Sequence, residues 1–147
     1  MRASANLSNN AKRSNFDHLR VMVVDDDVDI IRIVECILRD IGVGRIIRAE
    51  SGQKALEEYF LCPENIDVII CDLAMPGMSG FEVLEGVRSD SRKKPFIMLT
   101  ANITSDAVVE AKKKGVTAYI VKPFTIEDIM KKMTIIFEAL LEKGRVR

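Results

Sequence analysis

Short apolar runs recur along this chain, and segments with a helical period separate them. RVMVV (20–24), RIIRA (45–49), DVIIC (67–71), PFIMLT (95–100) and TAYIV (117–121) are each too brief for a stable helix of their own. Their β-branched content predicts strands. Between them the apolar residues fall at spacings of three and four. Ile30, Val34, Ile37, Leu38 and Ile41 mark a first helix, with Asp27 placed to cap it and Gly42 to end it. Ala55, Leu56, Tyr59 and Phe60 mark a second, stopped before Pro63. Phe81, Leu84 and Val87 suggest a third, after the turn-rich loop LAMPGMSG (73–80). A fourth runs from a cap at Thr104 or Ser105 through Lys114, with Gly115 beyond it. The longest carries Ile126, Ile129, Met130, Met133, Ile136, Phe137, Leu140 and Leu141, with Thr125 and Asp128 spaced as a cap. Such alternation predicts an α/β fold, (βα)5, with a parallel sheet covered by helices on both faces.

The bulk numbers narrow the function classes. The chain has 147 residues, 48% of them hydrophobic and 30% charged, which suits one domain with a real core. Basic and acidic residues balance at 22 each, so no net charge draws the chain to nucleic acid or to an anionic membrane. With 6 Phe, 2 Tyr and no Trp, a stacking platform for single strands is not expected. No apolar run approaches a membrane span. Residues 1–16 read as a mobile leader that buries little, 17–143 as the domain, and 144–147 as a tail too short for a DNA-binding output domain. The expectation is a stand-alone cytoplasmic domain, the alternative a fragment of a longer chain. Cys36 and Cys71 sit in apolar contexts and read as small buried hydrophobes. Lys112, Lys113 and Lys114 read as a solvated helix end, favourably placed against the helix dipole.

The polar residues at the strand ends carry the chemistry. In open parallel sheets, sites form outside the carboxyl ends of the strands. Asp25 and Asp26 follow the first strand, Asp72 ends the third, Thr100 ends the fourth, and Lys122 follows the fifth. Carboxylates crowded there repel, so they must take up protons or bind a cation. Oxygen ligands from Asp25, Asp26 and Asp72 suit Mg²⁺, and no Cys or His pattern favours zinc. A carboxylate beside that cation can be a nucleophile toward phosphorus, with a lysine ammonium neutralising the transferred group. Asp27 reads better as the helix cap than as a ligand.

VMVVDDD (21–27), IICDLAMPGMSG (69–80), MLTAN (98–102) and AYIVKPF (118–124), in this order and spacing, resemble the response-regulator receiver family, the CheY-like domains of two-component signalling. The resemblance implies the flavodoxin-like fold with strand order 2-1-3-4-5. It implies Asp72 as phosphoacceptor, and Mg²⁺ held by Asp25, Asp26, Asp72 and the backbone carbonyl of Ala74. Lys122 then pairs with the phosphoryl group or Asp72, and the bond to Pro123 is cis. Thr100 and Tyr119 become the switch pair. Ala74 and Asn102 occupy the positions that tune phosphoryl lifetime, and neither is charged. The implied partners are a histidine kinase or histidine phosphotransfer protein and a downstream protein target bound at the fourth helix, fifth strand and fifth helix.

Two other readings compete. A Mg²⁺-dependent phosphohydrolase would need a second acid two residues after its nucleophile, and Ala74 stands there. A receiver-like module that never takes phosphate would be expected to have lost an acid or Lys122, and all are present.

Overall fold

The computed structural model describes residues 16–90, 93–101 and 104–143. Strands β1 (Arg20–Val24), β2 (Arg45–Ala49), β3 (Val68–Asp72), β4 (Phe96–Thr100) and β5 (Ala118–Val121) form one sheet in the order β2-β1-β3-β4-β5. Every adjacent pair is parallel. Helices α1 (Val28–Asp40), α2 (Gly52–Leu61), α3 (Gly80–Arg88), α4 (Ser105–Lys113) and α5 (Ile126–Glu142) make the crossovers, and a 3₁₀ turn covers Pro63–Asn65. This is the flavodoxin-like arrangement.

Strand pleat divides the core in two. Successive side chains of a strand point to opposite faces. Val21 and Val23 therefore face the layer of α1 and α5 with Val68, Ile70, Ile97 and Leu99. Met22 and Val24 face the layer of α2 and α3 with Ile69, Cys71 and Met98. Burial on both faces explains why the central strands read as continuous apolar runs.

Local signals place the helix ends. The Asp27 carboxylate caps α1 by accepting from the Asp29 amide, Thr104 caps α4, and Thr125 and Asp128 make a reciprocal capping box on α5. Gly115 follows α4 with φ +88°, a left-handed conformation that suits glycine.

Several sequence expectations need correction. Phe16, assigned to the leader, is buried and packs edge-on against Phe137 with ring centroids 5.6 Å apart, because α5 leaves an apolar seat beside β1. The packed domain thus includes residue 16; the rest of the leader and the tail 144–147 lie outside the described residues. Cys71 is buried, but Cys36 is exposed. It sits on the outer side of α1, since the buried stripe runs through Ile31, Val34, Ile37 and Leu38. Phe60 likewise turns outward while Tyr59 is buried. Lys112 and Lys113 are exposed, whereas Lys114 pairs with Glu85 and lies over the Phe81 ring.

Candidate functional site

Strand ends and the loops after them bring the polar residues to one edge of the sheet. Asp25 follows β1, and its amide donates to the Ala49 carbonyl at the end of β2 at 3.2 Å. Its Oδ1 accepts from the Asp27 amide at 2.9 Å, so the turn into α1 orients the carboxylate. Asp72 is the last residue of the fully buried β3. The loop beyond it is pinned on both sides, since the Leu73 amide donates to the Leu99 carbonyl and the Gly80 amide to the Leu73 carbonyl, each at 2.8 Å. A Cβ on Gly80 would lie 2.4 Å from the Asp72 carbonyl oxygen. Only glycine lets α3 begin this close beneath the strand end.

Lys122 closes the group from β5. Its ammonium donates to Asp72 Oδ1 at 2.8 Å and to Asp25 Oδ2 at 3.3 Å. Its own amide donates to the Thr100 carbonyl at 2.8 Å, and the Lys122–Pro123 peptide bond is cis. Asp25 and Asp72 are buried, at 1% and 6% exposure, while Asp26 is exposed and opens the group to solvent. Carboxylate oxygens of Asp25, Asp26 and Asp72 lie within 4.8 Å of one another.

Electrostatics follow from this crowding. Burial pushes the Asp25 carboxyl above its ordinary range, and the Asp72 charge adds to the push; the Asp27 amide and Lys122 only partly offset it. Burial opposes the charge on Lys122, yet the hydrogen bond to Asp72 and the charges of both acids outweigh it and raise its pKa. Three carboxylates against one ammonium leave a deficit of two positive charges. All three donors are hard oxygens. The donor set therefore fits Mg²⁺, which prefers oxygen and keeps waters on its open side.

Thr100 is buried at the end of β4 and Tyr119 is half-buried on β5. Both line an apolar cavity with Leu73, Phe81, Met98 and Ala107. Ala74 is exposed in the loop two residues after Asp72. Asn102 lies outside the described residues. Asp27 caps α1, and His18 is exposed outside the group. Cys71 donates to the Asp72 carbonyl at 3.3 Å, and burial holds its thiol well above the ordinary range, so it is an inert neighbour.

Sequence reasoning missed three features, two of them at this edge. Gly80 was only a turn residue until its distance to Asp72 was known. Phe81 marked only the third helix in the sequence and forms a wall of the cavity beside Thr100 and Tyr119. Glu35 sits on the α1 margin as a buried acid held by Arg39 and Arg48. The four-residue spacing of Glu35 and Arg39 was the available signal for that pair.

Residues 21–134 match the family model described as response regulator receiver domain. The chain is 38% identical over 122 residues to chemotaxis protein CheY of Pseudomonas aeruginosa, covering 82% of this chain and 97% of that protein. It is 37% identical over 125 residues to chemotaxis protein CheY-3 of Vibrio cholerae, covering 84% and 95%. Among solved structures, Vibrio cholerae CheY4 superposes with a TM-score of 0.74 at 34% identity, over 80% of this chain and 98% of that one. A CheX–CheY–BeF3–Mg²⁺ complex from Borrelia burgdorferi gives a TM-score of 0.80 at 25% identity, over 86% and 98%.

Proposed function

The chain belongs to the response regulator receiver domain family, and from that membership we propose that it is a phosphorylation-operated switch with Asp72 as acceptor. CheY-like receivers are signalling switches of two-component systems rather than enzymes acting on a separate substrate. One observation carries the finer reading: Lys122 bridges two buried acids, and a third acid completes an oxygen cluster open to solvent. A structural ion pair would need no such excess of carboxylate.

The chemistry follows from those positions. An Asp72 carboxylate oxygen attacks phosphorus in line. The P–N bond of a phosphohistidine on a kinase or phosphotransfer protein breaks as the new O–P bond forms, and the freed imidazole keeps the electron pair. Lys122 then turns from the carboxylate to the phosphoryl oxygens, offsetting their charge. Asp25, Asp26, Asp72 and the Ala74 carbonyl would hold Mg²⁺, which when bound supplies charge neutralisation at the phosphoryl oxygens. The Thr100 hydroxyl moves to a phosphoryl oxygen, and the Tyr119 ring turns into the cavity behind it. That shift selects one of two arrangements of α4, β5 and α5. Val109, Val121 and Ile126 are exposed there, at 49%, 36% and 51%, and offer apolar contact to a downstream protein. The work of such a switch is cytoplasmic. No helix among the described residues is long and apolar enough to cross a membrane.

Incubation with acetyl phosphate and Mg²⁺, followed by intact mass, tests this reading. Wild type should gain one phosphoryl group, and EDTA should block the gain. A gain that persists in Asp72→Asn refutes the acceptor, and one that persists in EDTA refutes the metal. Ala74 brings no side-chain group to orient an attacking water, so the same phosphoprotein should decay slowly. Ala74→Asn should shorten its lifetime; an unchanged decay removes that role from position 74.

A further inference from the structure

Helix α4 is gripped unevenly. Among its described side chains only Ala111 is buried, whereas α5 buries Ile129, Met133, Ile136, Phe137 and Leu140. Polar ties from α3 gather at the C-terminal end of α4. Lys114, the C-cap, pairs through Nζ with Glu85 of α3 and lies 5.7 Å from the centroid of the Phe81 ring. Arg88 donates to the Gly115 carbonyl at 2.9 Å and 3.3 Å and to the Lys94 carbonyl at 2.6 Å. Glu85 and Phe81 are four apart on α3, so they share a face and meet the same ammonium. Phe81 is also a wall of the cavity lined by Thr100 and Tyr119, and Ala107 and Val108 of α4 cover that cavity. A helix with so little burial over a cavity shifts easily, and the ties at its C-terminal end oppose that shift. Moving it, or moving the Phe81 wall to admit another ring, disturbs the contacts of Lys114.

We infer that Glu85, Phe81 and Lys114 form a latch that holds α4 over the cavity behind Thr100 and Tyr119. Lys114 is then a positioning residue that sets how strongly a phosphoryl group at Asp72 must act to displace α4. The inference rests on the switch reading above. The pair is partly solvated, with side-chain exposures of 27% for Lys114 and 59% for Glu85, so its grip is modest and weakened by salt. Linkage fixes the direction. If a phosphoryl mimic favours displaced α4, removing the latch tightens binding of that mimic by the factor the latch had cost.

The test uses Lys114→Met, which keeps the stem over Phe81, Glu85→Gln, their double variant, and Lys114→Arg, which keeps the charge. In the protein without a phosphoryl mimic, hydrogen exchange of the α4 amides should quicken about threefold in Lys114→Met and Glu85→Gln. It should stay at the wild-type rate in Lys114→Arg, and β1 and β3 should not change in any variant. With Mg²⁺ present, beryllofluoride should bind both single variants about threefold more tightly, and the double variant no more tightly than either. High salt should bring wild type toward the variants. Unchanged α4 exchange overturns the latch, whatever the titration gives. Faster exchange with unchanged or weaker beryllofluoride binding overturns its link to Asp72. Wild type that takes no beryllofluoride at Asp72 refutes the switch reading instead, and the exchange measurement still decides whether the latch holds α4.

Discussion

Glu35 on α1 and Asp25 after β1 are both buried acids, at 6% and 1% exposure, and their surroundings treat them in opposite ways. Glu35 accepts from Arg39 at 2.9 Å and from Arg48 on the edge strand β2. Burial alone would raise its pKa, but the two arginines outweigh burial and hold the carboxyl below its ordinary range. Asp25 shares one lysine with Asp72 and faces Asp26, so burial and like charge leave it above its ordinary range. One cluster has more cation than acid. The other has more acid than cation and is open on the Asp26 side. A fold that meant both as ion pairs would not balance them so differently. The lesson is that charge balance, rather than burial of an acid, separates a structural pair from a cluster whose oxygens fit a cation.

Metal addition gives the sharpest way to break this contrast. Mg²⁺ at roughly 100 times its Kd should stabilise wild type against urea by about 2.7 kcal/mol. Glu35→Gln should show the same gain, and Asp25→Asn should lose most of it. Equal gains in both variants would mean the acid cluster is not the metal pocket.

Without metal the two substitutions should move stability in opposite directions. The folded pKa of Asp25 is raised, so its ionised form costs folding free energy at neutral pH. Asp25→Asn should therefore stabilise the protein. Glu35→Gln should destabilise it by about 1 kcal/mol, no more, because Arg39 and Arg48 are 69% and 52% exposed and their pairing is screened. Shifts of the same sign in urea midpoints would collapse the comparison.

The smallest effect is a pH dependence of that second gap. The folded pKa of Glu35 is depressed, so its stabilisation is fully present above the unfolded value of about 4.3 and fades as pH falls through the folded pKa. Wild type and Glu35→Gln should begin to converge as pH falls past the unfolded value and should meet only once pH lies below the folded pKa. A gap that persists under acid would mean that Glu35 acts through packing rather than charge.

Much of the fold was legible because strand and helix periods are local. The five runs and the helices between them became the sheet and its crossovers nearly residue for residue. Asp27, Thr104 and Thr125 announced their caps through side chains that reach only a few residues along the chain. Motif order was enough to gather Asp25, Asp26, Asp72, Thr100 and Lys122 at one edge, because the parallel crossover returns every strand with its carboxyl end on the same side.

What tertiary structure alone decided depends on contacts between elements remote in sequence. Cys36 faces outward and Phe16 inward because helix rotation and a seat beside Phe137 set them, not local hydrophobicity. Glu35 became a buried pair only when β2 delivered Arg48 to α1. Lys114 left the solvated helix end only when α3 offered Glu85 and Phe81 together. The sequence could say which acids would meet. The distances that make Lys122 bridge Asp25 and Asp72, and leave the three carboxylates short of two positive charges, arise only when strands from both halves of the chain pack side by side.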